Sequence, residues 1–173
     1  MKTKPSTKLA LTGFMGVGKS SVARHLAHSL RCKWTDLDRA IEDVEKCLVA
    51  EIIDKKGIER YRQIETETLE RVLKDPATSI LSLGGGTWTI ERNRQLLKEH
   101  GFATAWLEAT FEHCWLNITF SRKERPLARD KKTARRLFDE RQKIYCLADW
   151  HFVVRSNYTS YNVARQIQDE IFG

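Results

Sequence analysis

Residues 13–20 read Gly-Phe-Met-Gly-Val-Gly-Lys-Ser, which fits the pattern G-x-x-x-x-G-K-[ST]. Each fixed position has a chemical reason. The glycines let a tight loop turn the backbone N–H groups of Gly13, Gly16, Val17 and Gly18 toward phosphate oxygens. The Lys19 ammonium can reach β- and γ-phosphates, and the Ser20 hydroxyl can sit on Mg²⁺. The alternative is an ordinary glycine-rich turn. The flanks argue against it: Leu9, Ala10, Leu11 and Thr12 read as the end of a buried strand, and Ser21 to Leu30 as a helix. Strand, turn and helix is the arrangement that aims a helix N-terminus at an anion.

Five further features could do chemistry. Asp36 and Asp38 stand two apart at the end of a predicted strand, where continued strand geometry puts both side chains on one side. One carboxylate could hold a water of a Mg²⁺ shell and the other a substrate hydroxyl; a pair of helix-capping acids is the alternative. Gly84-Gly85-Gly86 is costly in backbone entropy. Close approach to a ligand would explain it, and so would a loop that must simply turn. Arg62 alone reads as a surface arginine. Arg141 falls in the phase of Ala134, Phe138, Tyr145 and Ala148, so it either snorkels to solvent or meets a buried anion. Arg125 and Arg129 lie in a basic stretch, Ser121 to Lys132, with few apolar residues and one proline, Pro126. That composition suits an exposed loop able to close over ATP and expel water.

The elements that must position these residues alternate along the chain. Strands are expected at Leu9–Thr12, Cys32–Thr35, Ser79–Leu83, Phe102–Leu107 and His151–Val154. Between them lie helical stretches. One opens at Asp38 as a plausible cap, with Ile41, Val44 and Leu48 as its apolar positions. Val49–Lys56 ends at Gly57, and Glu59–Leu73 carries Tyr61, Ile64, Thr68 and Val72 on one face. Glu91–Glu99, Glu112–Phe120, Thr133–Ala148 and Ser160–Ile171 follow. The alternation predicts an α/β class with a mostly parallel sheet.

The 173 residues suffice for one domain with its own core. The opening run, residues 2–8, is polar, and no stretch approaches the roughly 18 apolar residues of a membrane span; a cytoplasmic location is expected. Cys32, Cys47, Cys114 and Cys146 are too scattered for a metal pattern and read as reduced thiols. The net charge of +7 suits an anionic partner, yet no zinc finger, aromatic RNA-binding motif or basic zipper accompanies it.

Taken together, these motifs resemble the shikimate kinases, a family within the nucleoside-monophosphate-kinase-like group. The resemblance rests on residues 13–20, Asp36-Leu37-Asp38 with Ile41-Glu42, Tyr61-Arg62 with Glu65, Gly84 to Gly86, Arg125-Pro126-Leu127, and Arg141 with Tyr145 and Ala148. It implies a three-layer α/β/α fold on a five-stranded parallel sheet. It also implies a helical substrate-binding region near 37–65 and a lid near 121–132. The implied reaction is transfer of the ATP γ-phosphoryl group to the 3-hydroxyl of shikimate, on the route to chorismate and aromatic amino acids. Asp38, Arg62, Gly84, Gly85, Gly86 and Arg141 would bind shikimate. Lys19 and Arg125 would contact the transferring phosphate, with Lys19, Asp38 and Arg125 as the catalytic set. Ser20 would bind Mg²⁺, and Asp36 would do so through water. A monomer without nucleic-acid or membrane partners is expected.

The chain departs from the family pattern at four points. Ile58 follows Gly57 where the family usually has Glu, Lys46 stands where Gly is frequent, and Tyr61 replaces Phe. Ile118 occupies the place of an arginine that usually stacks near adenine. A kinase for another polyhydroxy acid, such as gluconate, and a nucleotide-dependent regulator or nucleic-acid-binding protein are the alternatives. The Asp36-x-Asp38 pair, the triple glycine and Arg125-Pro126-Leu127 favour shikimate. Intact Lys19, Ser20, Asp36 and Arg125 argue against an inactive relative.

Overall fold

The computed structural model describes residues 7–173, so most of the polar run at 2–8 lies outside the described residues. Five strands, β1 (Lys8–Thr12), β2 (Lys33–Asp36), β3 (Thr78–Ser82), β4 (Phe102–Glu108) and β5 (Trp150–Val153), form one parallel sheet in the order β2-β3-β1-β4-β5. Strand β1 lies at its centre, with Leu9, Ala10 and Leu11 wholly buried. A continuous apolar run is what a strand covered on both faces requires. The C-terminal end of β1 runs straight into the Gly13 loop. The C-terminal ends of β2 and β3 deliver Asp36 and Gly84 nearby, the end of an open parallel sheet where ligands bind.

Among the described residues, seven helices follow the expected order: α1 (Lys19–Leu30), α2 (Leu37–Glu45), α3 (Val49–Leu73), α4 (Glu91–Glu99), α5 (Phe111–Phe120), α6 (Lys131–Tyr145) and α7 (Ser160–Ile167). Helix α3 breaks at Gly57, whose φ of 82° and ψ of 163° are not helical. The two helices expected on either side of Gly57 are therefore both there, joined end to end. Helix α6 starts two residues earlier than its apolar pattern suggests, because Asp130 caps it by accepting from Thr133 N at 2.8 Å. Lys131 and Lys132 thus belong to a helix rather than to the basic loop. The chain ends in a wider π turn, Gln168–Phe172, instead of continuing α7 to Ile171.

Three local expectations are corrected. Asp36, not Asp38, caps α2: its Oδ1 accepts from Arg39 N at 3.1 Å. Strand geometry therefore stops at Asp36, and Asp38 sits in the first helical turn, where its charge also favours the helix dipole. Val44 and Leu48 are largely exposed, and the buried apolar positions of α2 are Leu37 and Ile41. A 3.6-residue period fixes which residues share a stripe, but not how wide a stripe a nine-residue helix can cover.

Lys46 explains one departure from the family pattern. It terminates α2 in the left-handed region, at φ 58° and ψ 28°, where a side chain costs roughly 1–2 kcal/mol and glycine does not. Lys46→Gly is expected to stabilise the fold by roughly 0.5–1 kcal/mol. The check is a higher urea midpoint at unchanged slope; an unchanged or lower midpoint would contradict the strain argument.

Candidate active site

A cavity of about 450 Å³ gathers most of the predicted site residues. Its walls include Gly16, Gly18, Lys19 and Ser20 from the first loop and helix, Asp36 and Asp38 from the β2–α2 junction, and Arg62 from α3. Gly84 to Gly86, Lys123, Arg125 and Arg141 complete it. Gly13 and Val17 support the loop from behind rather than lining the cavity; Val17 is buried in the core. Arg129 stands apart, paired with Asp54 of α3 at 3.1 Å and with Glu124 at 3.4 Å.

The loop has the conformation its glycines imply. Gly16 has φ of 83°, and a Cβ there would come within 2.6 Å of the Cys114 carbonyl oxygen. No other residue fits, so α5 can press directly on the loop. Asn117 Nδ2 adds a hydrogen bond to Gly16 O at 2.8 Å. Lys19 is buried, and its ammonium donates to the carbonyls of Gly13 at 2.7 Å and Phe14 at 3.1 Å. Burial lowers its pKa to about 8, with Asp38 pulling in the opposite direction.

Asp36 serves two purposes at once. While one oxygen caps α2, the other accepts a hydrogen bond from the Ser20 hydroxyl. The Ser82 hydroxyl lies 3.3 Å from Ser20 Oγ. One carboxylate among hydroxyls is an all-oxygen set, which suits Mg²⁺, an ion that keeps several waters and shares its coordination with phosphates. Among the described residues no group of three or more His, Cys, Asp or Glu side chains could hold a metal.

The other part of the cavity is built around the three glycines, and each meets a different charged side chain. A Cβ on Gly84 would lie 3.0 Å from Asp38 Oδ1, and one on Gly85 would lie 3.1 Å from Arg141 Nη1. A Cβ on Gly86 would overlap the Arg62 guanidinium outright. None of the three has a positive φ. A loop that merely had to turn is therefore not the reason for this sequence; the reason is close approach.

The arginines are held differently. Arg62 Nη1 donates to Glu65 Oε1 at 2.7 Å. Glu65 is fully buried, and its other oxygen accepts from Thr87 Oγ1 at 2.8 Å and from the Tyr61 hydroxyl at 3.2 Å. The hydroxyl that distinguishes Tyr61 from Phe thus has a partner. Arg141 is only 6% exposed, and its Nη1 has no hydrogen-bond partner among the described residues. Burial pushes its pKa down, with Tyr145 and Glu65 opposing. A buried guanidinium with an unpaired arm is unfavourable in isolation, so the site is prepared for an anion. Helix α6 fixes its position: Phe138, one turn earlier, packs edge-on against Phe14 at 5.1 Å and Phe111 at 5.5 Å. Trp88 Nε1 and the Tyr145 hydroxyl then tie α6 to the glycine loop, through Ile144 O at 3.0 Å and Gly85 O at 2.5 Å.

Glu65, Tyr145 and Asn117 are site-supporting residues whose roles the sequence alone does not reveal. Glu65 has one visible signal, its spacing of three from Arg62 and four from Tyr61 on a helix. Asn117 has none. Ile118 is buried against Gly16 rather than lining the cavity, so the side chain at that position packs the loop.

The shikimate kinase family model matches residues 15–172. The chain belongs to the shikimate kinase family. A shikimate kinase of Streptococcus thermophilus is 38% identical over 162 residues, 91% of this chain and 96% of that protein. One from Brucella canis is 32% identical, over 87% of this chain and 75% of its own length. The solved structure of an Acinetobacter baumannii shikimate kinase in complex with shikimate superposes with a TM-score of 0.86 at 28% identity, covering 97% of both chains. The five-stranded parallel α/β architecture expected of the family is the one observed.

The glycine loop supplies a direct test of the acceptor geometry. Gly86 has φ of −104° and ψ of −8°, a conformation alanine adopts freely. Gly86→Ala should therefore act by displacing the Arg62 guanidinium rather than by straining the backbone. The acceptor KM is expected to rise by about 10-fold or more, the loss of one charged hydrogen bond, with the ATP KM nearly unchanged. Saturation kinetics for both substrates check this; an equal rise in both would contradict it.

Proposed function

We propose that this protein transfers the γ-phosphoryl group of ATP to the 3-hydroxyl of shikimate, giving shikimate 3-phosphate and ADP. The observation that carries the reading is the buried Arg141, with its unpartnered Nη1, lining one cavity with Arg62 and Asp38. Two guanidiniums suit a planar carboxylate through bidentate pairing, and a carboxylate suits a hydroxyl. Shikimate offers both groups on one rigid ring.

In this reading the backbone of Gly16 and Gly18, with Lys19, Ser20 and Arg125, holds the ATP phosphates, and Gly13 and Val17 shape the loop behind them. Arg62, Arg141 and the bare backbone of Gly84, Gly85 and Gly86 hold shikimate by its carboxylate and ring. Asp38 orients the 3-hydroxyl and takes its proton as the new P–O bond forms and the bond to the β-phosphate oxygen breaks. Lys19 and Arg125 stabilise charge on the transferring group, because such reactions need alignment and positive charge more than covalent help. Ser20, and Asp36 through water, would hold Mg²⁺, which when bound neutralises charge on the β- and γ-phosphates.

The chain acts as one domain and a monomer, with an acceptor-binding region near 37–65 and a lid near 121–130, the basic stretch short of α6. No helix among the described residues is long and apolar enough to cross a membrane. We place the enzyme in the cytoplasm, without membrane or nucleic-acid partners. A coupled ADP-release screen over hydroxy acids tests the reading. Shikimate should drive ADP release and gluconate should not; release driven equally by gluconate, or by no acid at all, would overturn it.

A further inference from the structure

The segment between α5 and α6 does more than supply Arg125. Lys123 Nζ bonds Asp38 Oδ2 at 2.6 Å. Asp38 is the carboxylate assigned above to the acceptor hydroxyl, and this inference rests on that assignment. The ammonium therefore occupies one of the two carboxylate oxygens open to the hydroxyl and offsets the charge that would take its proton. The contact is not a local accident of the chain, since the two residues lie 85 positions apart. A second ion pair, Arg129 with Asp54, ties the same segment to α3.

We propose that Lys123 is an internal competitor for the acceptor subsite: its ammonium holds Asp38 until shikimate displaces it, and ATP phosphate then receives it. Three observations support this. First, the Lys123 side chain is 46% exposed and that of Asp38 19%, so one partner can leave for solvent without unfolding anything. Second, the lysine has another anion to go to, because Lys123, Lys19 and Arg125 line one cavity with the phosphate loop. Lys123 and Asp38 both act electrostatically on Lys19, in opposite directions. Third, Arg125 Nη1 donates to the Lys123 carbonyl at 3.1 Å, so one stretch of backbone presents both cations to the cavity. Shikimate and nucleotide should then bind cooperatively, each relieving a cost the other would otherwise meet.

The magnitude is bounded by the strength of a partly exposed ion pair, which corresponds to about two- to fivefold in affinity. The test is titration calorimetry of shikimate against the wild type, Lys123→Met and Lys123→Arg, without nucleotide and with a non-hydrolysable ATP analogue and Mg²⁺. Lys123→Met retains the stem without the charge and should bind shikimate about two- to fivefold tighter in the absence of nucleotide. Lys123→Arg should match the wild type. The analogue should tighten shikimate binding to the wild type more than to Lys123→Met. Binding to Lys123→Met that is equal to or weaker than wild type would overturn the proposal while leaving the activity intact. Failure of shikimate to bind any of the three would overturn the proposed activity itself.

Discussion

Lys19→Met is expected to leave a folded protein whose turnover falls by about a hundred- to a thousandfold, the typical effect of removing one preorganised charge from a transition state. The ammonium already sits within the Gly13 loop, held by two carbonyls, so no rearrangement of the loop is needed to use it. The same burial makes the variant informative in a second way. Lys19 has a pKa lowered to about 8, against 10.5 for an ordinary lysine. Between these values the unfolded chain binds the proton and the folded one does not. Stability contributed by this site therefore rises as pH rises from 8 to 10.5, and burial is unfavourable below 8. Wild type should gain stability relative to Lys19→Met across that window, seen in urea midpoints at its two ends. ATP phosphates should reverse the shift, so nucleotide binding near pH 9 should take up a proton from buffer. Calorimetry in buffers of different ionisation enthalpy detects this; no uptake, or equal uptake by Lys19→Met, would contradict the placement of the ammonium against phosphate.

The second large effect belongs to the acceptor end. Asp38→Asn keeps the shape of the side chain and removes its charge, and kcat should fall by about 10²- to 10⁴-fold, the range for a positioned general base. Arg141→Ala should instead act on the shikimate term, by roughly 10- to 150-fold for a charge-assisted hydrogen bond. Arg141 leaves a buried, partly unpaired charge when no ligand is present, so its removal should not lower the thermal midpoint. ATP affinity should stay near wild type in Arg141→Ala and, with Lys123 released from its partner, should be no weaker than wild type in Asp38→Asn. Loss of ATP affinity without an effect on the shikimate terms would mean that these residues serve the nucleotide instead.

How much of this was legible beforehand depended on whether the determinants were contiguous. The Gly13 loop could be read because its eight residues are consecutive and each has a chemical reason. Arg141 could be read because a charge in the phase of a packed face is anomalous, and the structure places it there, one turn beyond Phe138. Gly84 to Gly86 could be noticed but not explained, since the explanation is three side chains from three other elements. Glu65 belongs to the residues that carry the resemblance, but its role was hidden because a glutamate on a charged helix looks like a solvated one, and only the fold shows it wholly buried. Lys123 was lost among the neighbouring basic residues until the fold brought it to Asp38. The cap of α2 was misplaced for the same reason: Asp36 and Asp38 are chemically equivalent choices, and only the backbone, extended at Asp36 and helical from Leu37, decides between them.

Asp38, Arg62 and Arg141 together should orient one particular hydroxyl of shikimate toward the nucleotide. The most direct measurement is the position of the phosphate in the product formed from ATP, Mg²⁺ and shikimate, read by phosphorus–proton correlation NMR. A single phosphorus signal coupled to the proton on C3, with ADP formed in equal amount, is the predicted result. Phosphorus coupled to C4 or C5 protons, or ADP formed without any phosphorylated ring, would contradict it.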